Sequence, residues 1–207
     1  AKHGRGSGLL AHTDIVQELA KAIQEKSHLS FSVKMRLGWE DKEEWKPVLD
    51  LLNNIPLKQI TLHPRIGPQQ YKGKVDMESF DAFYNTCKHP LIDNGDLTTI
   101  EDIHRIENSY PKLAGIMIGR GLLARPTLSA EYASEKEYSE TERRNLLHAM
   151  HDRLIAHYET TANSEAQIHS RMRLFWEYME TEIGRKVYKK IMKAGNLKNY
   201  LAAVREV

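Results

Sequence analysis

Short apolar runs alternate with longer amphipathic stretches over the first 120 residues of the chain. Four runs rich in Ile, Val, Leu or Phe are bounded by polar or turn residues, a pattern typical of buried parallel strands. They recur about every 24–32 residues with a helical pattern between each pair, and this spacing is typical of repeated βα units. The pattern predicts an α/β fold whose strands lie in SFSVKM (30–35), KQITLH (58–63), PLIDN (90–94) and AGIMIG (114–119).

The stretches between these runs have apolar residues at helical spacing. In the first stretch, Ile15, Leu19, Ala22 and Ile23 fall on one face behind a Thr13 cap. Periodicity alone leaves two architectures open, half of an eight-fold barrel or part of an open doubly wound sheet. The predicted helices occupy residues 13–26, 44–53, 76–86 and 98–109.

The strand signal ends after about residue 135, and helical patterns follow up to the last residues. The pattern predicts an α/β part in residues 1–132, a polar linker in 133–142 and a helical domain in 143–207. We expect the helical domain to be a small bundle. Its apolar residues recur at helical spacing in 140–160, 167–182 and 185–194, and in a last helix after Gly195-Asn196.

Charge is distributed unevenly along the chain. The net charge is +2, but residues 167–207 carry 9 Lys/Arg against 4 Asp/Glu, or +5, which leaves 21 against 24, or −3, for residues 1–166. A basic C-terminal segment on an acidic body suggests a polyanionic partner, although a solvated helix surface would have the same composition.

Other features of the sequence argue against a disulfide-stabilised protein, a membrane-spanning protein and a Cys/His metal site. The single cysteine, Cys87, rules out an intramolecular disulfide framework and suits a reducing cytoplasm. No run of residues is long and apolar enough to cross a bilayer, and no Cys/His grouping has metal-ligand spacing. The sequence does not begin with Met and opens on a Gly-rich stretch, so we expect it to start in the middle of a longer protein.

The candidate chemistry lies at the carboxyl ends of the predicted strands, where sites gather in parallel α/β folds. Three cations and a histidine follow the first two strands, and an anionic ligand would relieve their mutual repulsion. Lys34 should point away from the face of Val33 and Met35, and a reduced flavin would compensate its burial. Considered alone, His63 has the character of a core histidine. These residues are Lys34, Arg36, His63 and Arg65.

The last two strands end in Asp-Asn-Gly-Asp and Gly-Arg-Gly. Either motif alone would be an ordinary turn, but on consecutive strand ends they favour phosphate binding, because glycines let the backbone approach phosphate oxygens. The residues that follow, GLLARP, can supply the short helix that often accompanies a phosphate site in barrels.

Ordered motifs spanning residues 4–126 resemble those of the tRNA-dihydrouridine synthase family of flavoenzymes. GRGSGLL resembles the family's Gly-x-Gly-Ser-x-Leu-Leu, and VKMRLGW resembles Val-Lys-x-Arg-x-Gly. ITLHPR resembles Leu-Thr-x-His-Gly-Arg with proline at position 64 in place of the commoner glycine, and QQYKG resembles the Tyr-x-Gly that follows. LIDNGDLTT resembles Ile-x-x-Asn-Gly-Asp-Ile, and GIMIGRGLLARP resembles Gly-x-Met-Ile-Gly-Arg-Gly-x-Leu-x-x-Pro. RLFWEYM resembles the helical tail of the family more loosely.

The resemblance implies a fold and a set of site residues. The fold would be the second half of a TIM-type (β/α)8 barrel, about four βα units, followed by a small C-terminal helical bundle that helps to grip tRNA. FMN would lie at the mouth of the barrel, with Lys34 and His63 near the flavin. His63, Arg36 and Arg65 would lie close to the target uracil. The phosphate of FMN would be cradled by Asn94, Gly95, Asp96, Gly119 and Arg120.

The resemblance also implies the reaction, the reduction of the C5–C6 bond of specific uridines in tRNA. NADPH would reduce FMN, the flavin would give hydride to the base, and a cysteine would protonate the neighbouring carbon. That cysteine belongs to an Asn-x-Gly-Cys-Pro loop expected just upstream of Ala1, so no catalytic residue is expected in this chain and the chain alone should be inactive. Cys87 is no substitute, because it falls at a predicted helix end before the third strand.

An open half-barrel would expose strand edges and would need either the missing N-terminal half or a second copy of the chain. Two further functions stay open. One is an inactive RNA-binding fragment, and the other is a related FMN barrel oxidoreductase that acts on a small metabolite.

Overall fold

The computed structural model describes residues 4–26 and 28–207, and it divides the chain into two compact units. The first unit contains the described residues up to Leu97 together with Glu101–Ile118, and the second contains Thr98–Ile100 with Gly119–Val207. The domain limits proposed from the sequence, at residues 132 and 143, stay predictions.

The first unit alternates strands with helices, so the predicted α/β fold with a parallel sheet is confirmed. Its elements are a 3₁₀ helix Gly6–Leu9, α1 Thr13–Glu25, β1 Phe31–Gly38, α2 Trp45–Leu52, β2 Leu57–Ile66, α3 Met77–Thr86, β3 Leu91–Asp93, α4 Ile100–Ser109 and β4 Gly115–Ile116.

The four strands pair side by side in chain order, and every pairing is parallel. Neighbouring strands in a (β/α)8 barrel follow the same sequential order, so the sheet is consistent with part of such a barrel. The register sets Lys34 opposite Thr61, Arg36 opposite His63, and then shifts before Gly38 pairs with Ile66. Because successive side chains alternate between the faces of a strand, Lys34 and Arg36 share one face of β1.

The core of this unit lies where α2 packs on β1 and α3 packs on β2. Phe80 and Phe83 of α3 are completely buried, and the ring of Phe83 lies 5.1 Å from that of Trp45 on α2. Burying a side chain of this size contributes about 1.5–3 kcal/mol. Apolar packing on these helices therefore stabilises the sheet whose strand ends carry the polar residues.

The predicted apolar face of α1 is confirmed at Ile23 but wrong at Ile15, Leu19 and Ala22. Val16, Ala20 and Ile23 are buried, whereas Ile15 and Leu19 are 44% and 50% exposed. The predicted cap is also wrong, because Thr13 is the first helical residue and the N-cap position belongs to His12, which makes no side-chain cap bond. Two apolar stripes run next to each other on this helix, and periodicity does not decide which one the neighbouring elements cover.

The regular elements that follow Ile118 are all helices. The predicted short helix in GLLARP is present as α5, and the predicted helix 167–182 is interrupted after Phe175, where Trp176 and Met179 turn into the core. The helices are α5 Arg120–Ala124, α6 Leu128–Ser134, α7 Glu140–Thr161, α8 Glu165–Phe175, α9 Glu180–Ile183, α10 Arg185–Lys193 and α11 Leu197–Val204.

An apolar cluster holds α7 to α11 together and encloses a polar trio. Trp176, Tyr200 and Ile191 are completely buried in it. The Tyr200 hydroxyl accepts a hydrogen bond from Trp176 Nε1 at 2.8 Å and lies 2.8 Å from Nε2 of the buried His151. Hydrogen bonds of this kind offset the cost of burying polar atoms in an apolar core.

The segment between α5 and α7 is held by a buried ion pair. The carboxylate of Glu131, which is 0% exposed, accepts hydrogen bonds from Arg125, the Thr127 hydroxyl and the backbone N–H of Tyr138. Ser139 then caps α7 and exchanges hydrogen bonds with Glu142. None of the helices in the described ranges is long and apolar enough to cross a membrane.

Candidate functional site

Four predicted site residues meet on two neighbouring strands. Lys34 and Arg36 come from one face of β1, and His63 and Arg65 come from the second half of β2. Arg36 lies opposite His63 in the register, and its Nη1 donates a 2.9 Å hydrogen bond to the carbonyl of Ile66 at the end of β2. The structure therefore brings the three predicted cations and the histidine into one cluster, which we call the strand-end cluster.

Arg65 is the most constrained member of the strand-end cluster. Its side chain is 1% exposed, and it donates two hydrogen bonds to the Asp96 carboxylate, of which the bond to Oδ1 is 2.8 Å long. A third donation reaches the carbonyl of Gly73 in the loop after β2. A bidentate arginine–carboxylate pair fixes both side chains in one orientation.

The imidazole of His63 is neutral at physiological pH. Arg65 Nη1 lies 3.3 Å from His63 Nε2, and because a guanidinium can only donate, Nε2 must accept and the proton must sit on Nδ1. Burial and the positive charges of Arg36, Lys34 and Arg65 lower the pKa of His63 to about 4. His63 can therefore donate a hydrogen bond to a ligand through Nδ1 but does not carry a proton to give as an imidazolium.

The neighbouring positive charges also affect the pKa values of Lys34 and Arg36. Burial lowers the pKa of Lys34, and the nearby Arg36 lowers it further. Burial lowers the pKa of Arg36 as well, with Tyr71 opposing that shift and Arg65 adding to it. A negatively charged ligand would remove this mutual repulsion, so the strand-end cluster fits an anion.

Two aromatic side chains on the loops that follow β1 and β2 belong to the same region, and no role was predicted for either of them. Tyr71 is 57% exposed and lies over His63 with a centroid distance of 6.3 Å and an angle of 30°. Trp39 is half-exposed and packs so closely against Gly67 that a Cβ there would lie 2.0 Å from its ring. An aromatic residue directly after a parallel strand is the signal that could have identified Trp39, and an aromatic residue in the loop after β2 is the signal for Tyr71.

Hydrogen bonds and an ion pair to neighbouring residues anchor the predicted phosphate-binding loop after β3. Asn94 Nδ2 donates to the Met117 carbonyl at 2.7 Å, and the Gly95 N–H donates to Asp93 Oδ2 at 3.1 Å. Asp96 pairs with Arg65, which links this loop to the strand-end cluster. The loop is therefore held in shape by its own hydrogen bonds, and its role towards a phosphate stays a prediction.

The remaining two predicted residues lie in the second unit. Gly119 is the N-cap of α5, and Arg120 is the first residue of that five-residue helix. Their predicted contact with a phosphate stays a prediction.

A metal centre is not found in the part of the chain that the structure describes, because no three His, Cys, Asp or Glu side chains come close enough together to hold an ion. Cys87 is the C-cap of α3, half-buried, and burial raises the pKa of its thiol. A thiol of this kind is a weak acid and a weak nucleophile, and it lies at a helix end rather than at a strand end.

Known proteins resemble the chain over most of its length. The family model for dihydrouridine synthase (Dus) matches residues 1–206. A Helicobacter pylori protein named "Probable tRNA-dihydrouridine synthase" is 34% identical over 128 residues, which are 61% of this chain and 38% of the relative. Two Vibrio cholerae proteins, "tRNA-dihydrouridine synthase B" and "tRNA-dihydrouridine(16) synthase", are 28% and 29% identical over 66% and 59% of this chain, and 42% and 39% of their own lengths.

The aligned part of the chain thus spans about two fifths of the length of each of these curated relatives. The family match covers nearly every residue and includes both strands that carry the strand-end cluster. The chain belongs to the dihydrouridine synthase family.

Proposed function

We propose that this chain is part of an FMN-dependent enzyme that reduces specific uridines in tRNA to 5,6-dihydrouridine with NADPH. The observation that carries the proposal is the strand-end cluster, in which three cations surround a neutral histidine. The family match and the relatives' names, "Probable tRNA-dihydrouridine synthase" and "tRNA-dihydrouridine synthase B" among them, support the substrate class. The single half-buried cysteine suits a cytoplasmic enzyme.

The charge of the strand-end cluster fits FMN, which would supply hydride transfer when bound. In this proposal Lys34 and His63 contact the flavin, and Asn94, Gly95 and Asp96 hold its phosphate. The lowered pKa values of Lys34 and Arg36 support an anionic partner, since both shifts include repulsion from neighbouring cations. Lys34 would stabilise negative charge on the ring, and Arg65 would keep the cluster in place through Asp96.

The substrate uracil would be bound by Arg36, His63 and Arg65. A neutral His63 offers one N–H donor to a base carbonyl, and the exposed ring of Tyr71 above it offers a surface on which a flipped base can stack. The base must leave its stack to reach the flavin, so these residues orient it and exclude water from it.

The tRNA backbone would lie against α10. Arg185, Lys186, Lys189 and Lys193 are exposed on this helix, while Ile191 is buried in the apolar cluster of the second unit. A helix with one buried face and one basic face suits contact with phosphates. We assign the helical domain, proposed as a small bundle, to tRNA binding on this ground.

The fold of the whole enzyme would be a (β/α)8 barrel, to which this chain contributes the last four βα units. β1 is the first strand of the sheet, and an apolar groove of about 420 Å³ borders it. Leu19 lines this groove, and Ile15 and Leu29 are also largely exposed. We propose that the N-terminal half of the barrel, or else a second copy of the chain, covers this edge.

We further propose that the catalytic cysteine comes from the N-terminal half of the barrel, so that this 207-residue chain alone is inactive. The position of Cys87 supports this proposal, because its thiol contacts the His89 carbonyl at 3.6 Å beyond the end of α3 and has a raised pKa.

The test uses the purified full-length holoenzyme that contains this chain. It is incubated with NADPH and unmodified tRNA, and the nucleosides are analysed by mass spectrometry. A gain of two mass units on uridine is expected, and no gain at any position would overturn the enzymatic proposal. A tRNA-binding protein without bound flavin would indicate the inactive RNA-binding alternative.

A lysine pair tests the cofactor assignment. Lys34→Ala should lower the FMN content of the purified protein, measured by flavin absorbance after release. Lys58→Ala is the matched control, because Lys58 is exposed at the opposite end of β2. An unchanged FMN content in the Lys34 variant would remove Lys34 from the cofactor site.

A further inference from the structure

We propose that a cavity beside the carboxyl end of β3, with the Asp93 carboxylate in its wall, binds a small free alkylammonium ion. The cavity has a volume of about 280 Å³ and lies entirely within the first unit. The cavity shares Gly95 and Asp96 with the loop proposed for the FMN phosphate, but the inference depends on Asp93 and not on the proposed enzymatic function. Half of the lining residues are apolar or aromatic, namely Val75, Met77, Leu97, Ile106 and Tyr110, and Gly95, Asp96, Arg105 and Ser109 complete the lining beside Asp93.

Asp93 carries the proposal, because its charge is buried and incompletely satisfied. The residue is 1% exposed. Its Oδ2 accepts the Gly95 N–H at 3.1 Å, while Oδ1 has no hydrogen-bond partner among the described residues. A buried carboxylate oxygen without a donor is unfavourable, and a ligand that brings N–H donors and a positive charge would satisfy it.

The other charged groups around the cavity do not supply that partner. The Asp96 carboxylate binds Arg65, and the Arg105 guanidinium pairs with Asp102 at 2.7 Å. The hydroxyl of Tyr110 is engaged by Asp81, and burial together with Asp81 and Asp93 raises its pKa to about 12. These groups therefore do not balance the negative charge of Asp93.

The surroundings of Asp93 favour an organic cation over an inorganic ion. An anion would be repelled by the unpaired Asp93 carboxylate. A divalent metal needs several oxygen ligands, and no grouping of three suitable side chains exists among the described residues. The five apolar and aromatic side chains of the lining suit an alkyl chain behind a single ammonium head at Asp93, and the volume limits the ligand to a small molecule.

The ionisation of Asp93 agrees with this picture. Burial raises the pKa of Asp93 to about 6, with the Gly95 hydrogen bond opposing the shift. Above neutral pH the carboxylate form still predominates, and a bound ammonium would stabilise it further.

The experiment is isothermal titration calorimetry of the 207-residue chain with n-butylammonium at slightly alkaline pH, with n-butanol as the uncharged ligand of the same shape. We expect saturable binding of n-butylammonium and none of n-butanol. Asp93→Asn should weaken binding at least tenfold, whereas Asp50→Asn, which changes an exposed carboxylate on α2, should leave it unchanged. Met77→Phe fills the cavity while keeping Asp93, and it should also abolish binding.

Three results would overturn the proposal. They are the absence of saturable binding in the unmodified chain, equal affinity of the Asp93→Asn variant, and equal binding of n-butanol. Thermal unfolding of each variant accompanies the titrations, and the Met77→Phe result decides the matter if Asp93→Asn fails to fold.

Discussion

The guanidinium of Arg65 and the carboxylate of Asp96 form a bidentate pair across 31 residues of chain, and the pair joins the end of β2 to the loop after β3. The arginine is 1% exposed, while the Asp96 side chain is 36% exposed. The Asp96 carboxylate, which is partly exposed to water, therefore fixes the buried Arg65 cation at the centre of the strand-end cluster. Arg65 also contacts His63, so the pair positions the histidine.

Asp96→Asn should destabilise the first unit more than the loss of an ordinary surface charge. The substitution leaves the Arg65 charge buried without its counter-ion, and with allowance for the exposure of Asp96 we expect a loss of about 1–3 kcal/mol in the free energy of unfolding. Urea denaturation followed by circular dichroism measures it. Glu43→Gln is the control, since the Lys46–Glu43 pair is exposed and should contribute roughly 0–1 kcal/mol. Equal losses in both variants would show that the Arg65–Asp96 pair is no more important than a surface pair.

His63 should make the protein less stable in acid. Its pKa is about 4 in the folded chain against about 6.5 when unfolded, so the unfolded chain takes up a proton in this range that the folded chain refuses. The stability contributed by neutral His63 is complete above pH 6.5, falls as the pH is lowered towards 4, and is then lost, to a total of roughly 3 kcal/mol.

The measurement is the difference in unfolding free energy between the unmodified chain and His63→Gln at a series of pH values. The difference removes the contributions of other acidic groups. A difference that stays constant between pH 7 and pH 4 would contradict the neutral state assigned to His63, and an NMR titration of its ring protons would show the same directly.

The strands were predictable because their apolar residues are local in sequence, but their ends were not. The predicted run 58–63 stops at His63, where the apolar pattern stops, whereas β2 continues to Ile66. Residues 64–66 remain in the strand because Arg65 pairs with Asp96 and because the Ile66 carbonyl accepts a hydrogen bond from Arg36. Those partners lie about 30 residues away, where a local pattern carries no information about them.

The strand-end cluster was predictable for a similar reason. Alternation along β1 sets Lys34 and Arg36 on one face, and the carboxyl ends of parallel strands share an edge. The register that places Arg36 opposite His63 comes from pairing between strands and could not be predicted. The position of Tyr71 depends on the fold of a loop, and the exposed stripe of α1 depends on which side its neighbours cover.

Gly67→Ala should displace Trp39 from the loop after β2. A Cβ at position 67 would lie 2.0 Å from the indole ring, far inside van der Waals contact, so either the ring or the loop must move. Overpacking of this kind costs typically about 1–3 kcal/mol. Trp39 is the only half-exposed tryptophan, since Trp45 and Trp176 are buried, so a red shift of the tryptophan emission would report its displacement. Gly195→Ala is the control, because nothing lies within 4 Å of a Cβ there. An unshifted spectrum in the Gly67 variant would mean that Trp39 does not rest on this glycine.

The basic face of α10 gives a prediction that separates specific phosphate contacts from a merely solvated helix. If Lys189 and Lys193 each neutralise a tRNA phosphate in the full-length enzyme, replacing both with Gln should weaken binding and reduce the slope of log affinity against log salt concentration by roughly one per lysine. Both side chains are exposed, whereas their neighbour Lys190 already pairs with Glu206 at 2.8 Å and is left intact.

Fluorescence anisotropy with labelled tRNA at several potassium chloride concentrations gives the slope. Lys21→Gln, on the exposed side of α1, should leave affinity and slope as they are. Parallel lines for the double variant and the unmodified enzyme would exclude α10 from the tRNA interface while leaving the uridine reductase proposal intact, because the strand-end cluster that carries that proposal lies on β1 and β2.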